Sequence, residues 1–122
     1  MNHHDVIVAQ SDCVVAEHLA AQLHSYFRNI SVARDLDEIR HIIYRHGAEV
    51  VVLDLDLAGY RDLRALTREF PSVGFVCTHR VPDEEMWKET LSAGAIDCCA
   101  NDDVHEIVRA SRRVGHTLHA AA

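Results

Sequence analysis

A chain of 122 residues with 48% hydrophobic content has the size and apolar supply of one compact domain, too little for two separate cores. Its 12 basic and 19 acidic residues leave a formal charge of -7, which repels phosphate backbones and anionic lipids and disfavours nucleic-acid binding by this segment itself. No basic leader with an apolar stretch and cleavage site opens the chain, and no apolar run of about 18 residues occurs, so the sequence predicts neither export nor a membrane span.

The predicted elements alternate from the start. Val6 to Ala9 is a short apolar run ending in Gln10, Ser11 and Asp12, polar residues able to cap a helix, after which Val15, Leu19, Leu23, Tyr26 and Phe27 recur at helical spacing. Ile30 to Ala33 reads as a second strand, and Leu36, Ile39, Ile42 and Ile43 mark a helix that stops near Gly47. Val50 to Leu53 is the most apolar strand. Leu63, Leu66 and Phe70 form a third helical stripe ending before Pro71, and Val73 to Cys77 follows as a fourth strand containing Gly74. A fourth helix is expected from Asp83 to Ala93 and a fifth strand from Ala95 to Ala100. Val104, Ile107, Val108, Ser111 and Val114 share a face of a last helix that begins at Asp102 or Asp103.

Strict alternation implies right-handed crossovers and a parallel sheet covered on both faces, a doubly wound flavodoxin-like (βα)5 α/β fold. No repeat, low-complexity tract or linker interrupts residues 5 to 115, so a single domain is assigned to 1–122, with 116–122 as the start of a linker. The four cysteines, Cys13, Cys77, Cys98 and Cys99, include no C-x-x-C pair, and two are adjacent, which suits neither a disulfide framework nor a zinc site and points to a reducing cytoplasm. Ten histidines would shrink the negative charge on mild acidification, although scattered surface histidines are the plainer reading of most.

In an open parallel sheet, ligands bind beyond the carboxyl ends of the strands, which here are closed by Gln10, Ser11 and Asp12, then by Asp54, Thr78 and Asn101. Val51-Val52-Leu53-Asp54-Leu55-Asp56-Leu57-Ala58-Gly59 resembles the phosphoacceptor strand and loop of response regulator receiver domains, where an Asp ends the third strand and a Gly follows five residues later. Cys77-Thr78-His79 is similar to the strand end that carries the family's switch Thr or Ser. Ala93-Gly94-Ala95-Ile96-Asp97 resembles the approach to its fifth strand.

The resemblance implies that Asp54 accepts a phosphoryl group from a histidine kinase, that Thr78 hydrogen-bonds a phosphoryl oxygen, and that Mg²⁺ is held by Asp54 and the Asp56 backbone carbonyl. It also exposes departures. The two acidic residues expected after the first strand are Gln10 and Ser11, and the lysine expected after the fifth is Asn101, followed by Asp102. Asp12 stands one position late and offers a metal ligand or, more commonly, a helix N-cap. Mg²⁺ demands near-octahedral oxygen ligation, mostly from carboxylates, so it is expected to bind weakly or not at all. Phosphoryl transfer rests on positioning and charge neutralisation, so Asp54 is expected to be a poor acceptor. Arg80 and Arg61 are conceivable substitute cations, but solvated arginines are the commoner outcome.

Two further departures lie in the pocket. The family's switch aromatic aligns with Cys98, which reads first as a small buried hydrophobe, and His79 replaces a small residue after the Thr, where it could guard or titrate the pocket. The sequence therefore predicts an atypical receiver, not an enzyme, that acts by protein contact on a histidine kinase or other signalling partner and forms a homodimer. The fourth helix, fifth strand and fifth helix would form its partner surface, with Met86 and Trp87 if they are exposed; alternatively Trp87 joins Leu91 on the core face. Residues 107–118 look like the last receiver helix and linker of NarL/FixJ-family regulators, which implies DNA contact only through a C-terminal output domain outside this segment.

Two other classes compete. Asp54-Leu55-Asp56 also resembles the D-x-D motif of haloacid dehalogenases, with Asp54 as nucleophile and Asp56 as general acid, although that motif would normally open the domain. A flavodoxin-like cofactor binder would need a Gly-rich or Ser/Thr-rich phosphate loop where Gln10-Ser11-Asp12 stands.

Overall fold

Five strands alternate with five helices in the computed structural model, which describes residues 4–114. They run β1 (Asp5–Ala9), α1 (Cys13–Leu23), β2 (Asn29–Ala33), α2 (Leu36–His46), β3 (Val50–Asp54), α3 (Tyr60–Glu69), β4 (Gly74–His79), α4 (Glu84–Ser92), β5 (Asp97–Ala100) and α5 (Val104–Arg112). The sheet order is β2-β1-β3-β4-β5 and every pairing is parallel. This is the expected doubly wound α/β fold.

The central strand is apolar from Val50 to Leu53 because it faces two cores. Val51 and Leu53 point into one with Ile39, Leu63 and Leu66 from α2 and α3, while Val50 and Val52 point into the other with Leu19, Leu23, Ile107 and Val108 from α1 and α5. Strand order reverses between β1 and β3, so their carboxyl ends open the crevice where such sheets bind ligands.

Local chemistry sets the helix ends. Asp12, Asp35, Asp83 and Asp103 cap α1, α2, α4 and α5 by accepting from backbone N–H groups of the first turn. Gly47 closes α2 at φ 77°, a conformation glycine adopts without strain.

Two expectations are corrected and one alternative is decided. Helix α1 stops at Leu23, because the His24 N–H reaches back to the Ala21 carbonyl and tightens the turn, so Tyr26 and Phe27 lie beyond it, with Phe27 still buried. Strand β5 begins at Asp97, since Ala95 donates to the Thr90 carbonyl in the preceding turn. Trp87 is 45% exposed and not on the core face; Thr90 takes that place, its hydroxyl satisfied by the Met86 and Trp87 carbonyls. The expected linker at 116–122 and the end of the NarL/FixJ-like tail lie outside the described residues.

Candidate functional site

Asp54 ends β3 in the crevice with only 6% of its surface exposed, and its carboxylate is held by three donors. The Ser11 backbone N–H and hydroxyl reach Oδ2 at 2.9 and 2.8 Å, and the Asp56 backbone N–H reaches Oδ1 at 2.9 Å. Such donors replace the hydrogen bonds to water that burial removes. Ser11 can reach because β1 and β3 are adjacent and in register, Ala9 opposite Leu53.

Thr78 is fully buried and is the register partner of Asp54 on the neighbouring strand. Its Oγ1 accepts from Gln10 Nε2 at 3.0 Å, and the same amide donates to the Ala9 carbonyl at 3.2 Å. Gln10 is itself 3% exposed, and its Oε1 has no partner among the described residues. Gln10 and Ser11 therefore engage Thr78 and Asp54 directly, contacts that the sequence reading missed. The available signal was a polar pair one step past β1, facing a polar pair one step along two neighbouring strands.

The remaining expected residues divide. Asp12 is exposed, and its Oδ1 accepts from the Val14 N–H at 2.9 Å as the α1 cap. Asp56 turns its carboxylate toward His79, whose Nε2 lies 3.5 Å from Oδ1. The His79 Nδ1 accepts from the Val81 N–H at 3.2 Å, which puts the proton of the neutral ring on Nε2, facing Asp56. The general-acid role of a D-x-D enzyme would need the Asp56 carboxyl at the reacting group; Asp54 receives only its backbone N–H.

Asn101 continues the ladder by donating its N–H to the His79 carbonyl at 3.0 Å, and it lines a recess of about 260 Å³ against Val14, Val15, His18 and Gln22 of α1. Among the described residues, no side chain of Asn101, Arg61 or Arg80 bonds to Asp54, and both arginines are exposed. Cys98 is half-buried opposite Cys77 in register; burial pushes its thiol pKa up, and a Thr90 hydrogen bond opposes that rise. Leu55, Asp56, Gly59, Tyr60, His79 and Met86 line a second recess of about 200 Å³ beside the site. Tyr60 and Met86 were not foreseen there.

No cluster of three or more His, Cys, Asp or Glu side chains able to hold a metal occurs among the described residues. No described helix is long and apolar enough to cross a membrane.

No family model matches the sequence, and no curated protein does. Solved structures do match in fold, and these structural neighbours are response regulator receiver domains. A Francisella response regulator receiver domain superposes with a TM-score of 0.80 at 20% identity, over 94% of this chain and 99% of the other. A Burkholderia pseudomallei response regulator with a phosphorylated aspartic acid, a calcium ion and citrate gives 0.77 at 19% identity, over 97% and 72%. NtrX from Brucella abortus in complex with ADP gives 0.84 at 18% identity, over 98% of this chain but 29% of that longer protein.

Proposed function

We propose that this chain is an atypical receiver domain of two-component signalling that works by protein contact, with Asp54 at the phosphoacceptor position but without the charges that make such a site reactive. The receiver fold supports the class. The observation that carries the atypical part is the pair of Ser11 donors on Asp54 Oδ2, at 2.9 and 2.8 Å, in the place where the resemblance expects acidic metal ligands.

The donor set does not fit Mg²⁺. A hard dication wants several oxygen anions, whereas Asp54 already accepts three N–H and O–H donors, Asp12 caps a helix, and the Asp56 ligand that the resemblance gives is a neutral backbone carbonyl. The orphaned Gln10 Oε1 is one neutral oxygen, too little to replace two carboxylates. On this reading the domain is a signalling module and not an enzyme. It sits in the cytoplasm, meets a histidine kinase or another signalling protein, and touches DNA only through an output domain beyond this segment. The half-exposed Trp87, whose Nε1 donates to Asp97 Oδ1 at 3.0 Å, marks a partner face on α4 and β5, while Met86 lies on the α3 side of α4 beside Tyr60.

The test is incubation with acetyl phosphate and Mg²⁺, read by intact mass, for the wild type and for the variant Gln10→Asp, Ser11→Asp, Asn101→Lys. The wild type should gain no phosphoryl group, and the triple variant should gain one at Asp54 that depends on Mg²⁺. Equal labelling of the two proteins would overturn the atypical reading.

A further inference from the structure

We propose that two copies of this chain pair about a two-fold axis through the seam between α3 and α4, the arginines on α3 of each copy meeting the glutamates on α4 of the other. This goes beyond the receiver reading and does not depend on phosphorylation.

Arg61, Arg64 and Arg68 are all exposed and occupy the outer stripe of α3, opposite its buried Leu63 and Leu66. Among the described residues, none of the three forms an ion pair, a state they share with Arg34, Arg45, Arg80 and Arg112, while Arg28, Arg40, Arg109 and Arg113 are paired; what sets the three apart is that they share one helix face. Arg64 and Arg68 stand four residues apart on one helix, a like-charge spacing that destabilises an isolated helix. In a chain of net charge -7, α3 thus gathers three arginines on its outer stripe, with its acids Asp62 and Glu69 on a neighbouring face of the helix.

Helix α4 carries the inverse pattern. Glu85 and Glu89 are exposed four residues apart and unpaired among the described residues, because Lys88, the chain's single lysine, lies 3.7 Å from Glu84 instead. Asp83, Glu85 and Glu89 line a recess of about 290 Å³ with Tyr60 and Met86, so the acids turn toward the seam with α3. Burial pushes the Tyr60 phenol above its ordinary range, followed by the Cys98 thiol and the carboxylates of Glu89, Asp83 and Glu85.

Geometry and charge together select the occupant. Residues four apart on a helix are separated by about 6 Å along its axis, so Arg64 and Arg68 of one copy can meet Glu85 and Glu89 of another at the same time. A two-fold axis makes that contact twice, places Tyr60 and Met86 at the apolar centre under a charged rim, and closes the assembly at two chains. A purely acidic partner would satisfy α3 but be repelled by α4, and a nucleic acid would meet the same acids and the same net charge. Only a surface that carries both signs in this order satisfies both helices, and the chain's own surface does.

The experiment is sedimentation of the full 122-residue chain at about 10 mM and about 1 M salt, where the screening length falls from about 30 to about 3 Å. The wild type should dimerise at low salt, with a dissociation constant that rises at least about tenfold at high salt. Arg64→Glu with Arg68→Glu should be monomeric, and so should Glu85→Arg with Glu89→Arg. Mixing these two double variants should restore a dimer containing one of each, since both contacts are then complementary. Retained circular dichroism and melting temperature separate lost pairing from lost folding. A monomeric wild type at low salt, a dimer indifferent to the reversals, or a mixture that stays monomeric would each overturn the proposal, as would an open concentration-dependent polymer in place of a closed dimer.

Discussion

Gln10 shows how one buried amide can be nearly neutral in sum while fixing its surroundings. Its two N–H bonds, to Thr78 Oγ1 and the Ala9 carbonyl, each contribute about 1 kcal/mol, and its orphaned Oε1 costs a comparable about 1–3 kcal/mol. Gln10→Met keeps the volume and removes the orphaned Oε1, but it leaves the fully buried Thr78 Oγ1 without its donor, so it should lower unfolding free energy by only about 1 kcal/mol. Gln10→Asp instead sets a second carboxylate at a 3% exposed position beside Asp54 and should cost about 3 kcal/mol in chelator-treated buffer. Urea unfolding of the two variants decides, and an equal loss for both would mean that volume, not charge, governs the position. Asp54 and Thr78 were legible in the sequence because they close apolar strands. What Gln10 and Ser11 do there was not, because their bonds span 68 and 43 residues and depend on strand order, which local pattern does not encode.

At the scale of elements, periodicity revealed all ten, and the errors fall where chain direction changes. Phe27 is apolar at helical spacing, yet it is buried by the chain returning toward β1, where the Arg28 N–H donates to the His4 carbonyl. The core-face alternative for Trp87 with Leu91 gives way to Thr90, and a threonine could take that place because two backbone carbonyls satisfy its hydroxyl. Close packing between elements is sharpest at Gly74, the first residue of β4. A Cβ there would strike Val114 Cγ2 at the end of the α5 region and approach Ile96 Cδ1 to 2.6 Å, so both side chains would have to move. Gly74→Ala should therefore cost about 1–3 kcal/mol. Gly59, with open space and negative φ, is the control: Gly59→Ala should leave the urea midpoint nearly unchanged. A Gly74→Ala midpoint equal to that of the control would show that α5 yields freely.

For the whole molecule, acidification moves two quantities at once. Ten histidines outnumber the net charge of -7, so charging them would change the sign of the molecule's self-repulsion, a global term separate from any one pair. Acid sensitivity proper begins lower, where specific pairs fail. Glu69 joins α2 to α3, accepting from Arg40 Nε at 2.9 Å and from the Tyr44 hydroxyl at 2.8 Å, while Tyr44 packs edge-on against Phe70. The Arg40 hydrogen bond first, and the Tyr44 bond second, hold the Glu69 carboxyl below its ordinary 4.5. Arg28 does the same for Asp5, below its ordinary 3.8. Because these folded-state values are depressed, their stabilisation is complete above the unfolded values and is lost as pH falls through them, when the unfolded chain binds the protons first. Stability should thus hold through mild acidification and decline below about pH 4.5. Glu69→Gln removes that titration while leaving net charge elsewhere and the histidines untouched, so the difference between the two proteins isolates the pair from the global term. Wild type should exceed Glu69→Gln at pH 7, and the gap should close between about pH 5 and pH 3 in urea unfolding. Curves that stay parallel through that window would mean that Glu69 carries none of the acid sensitivity and that the decline belongs to Asp5 or to the charge of the molecule as a whole.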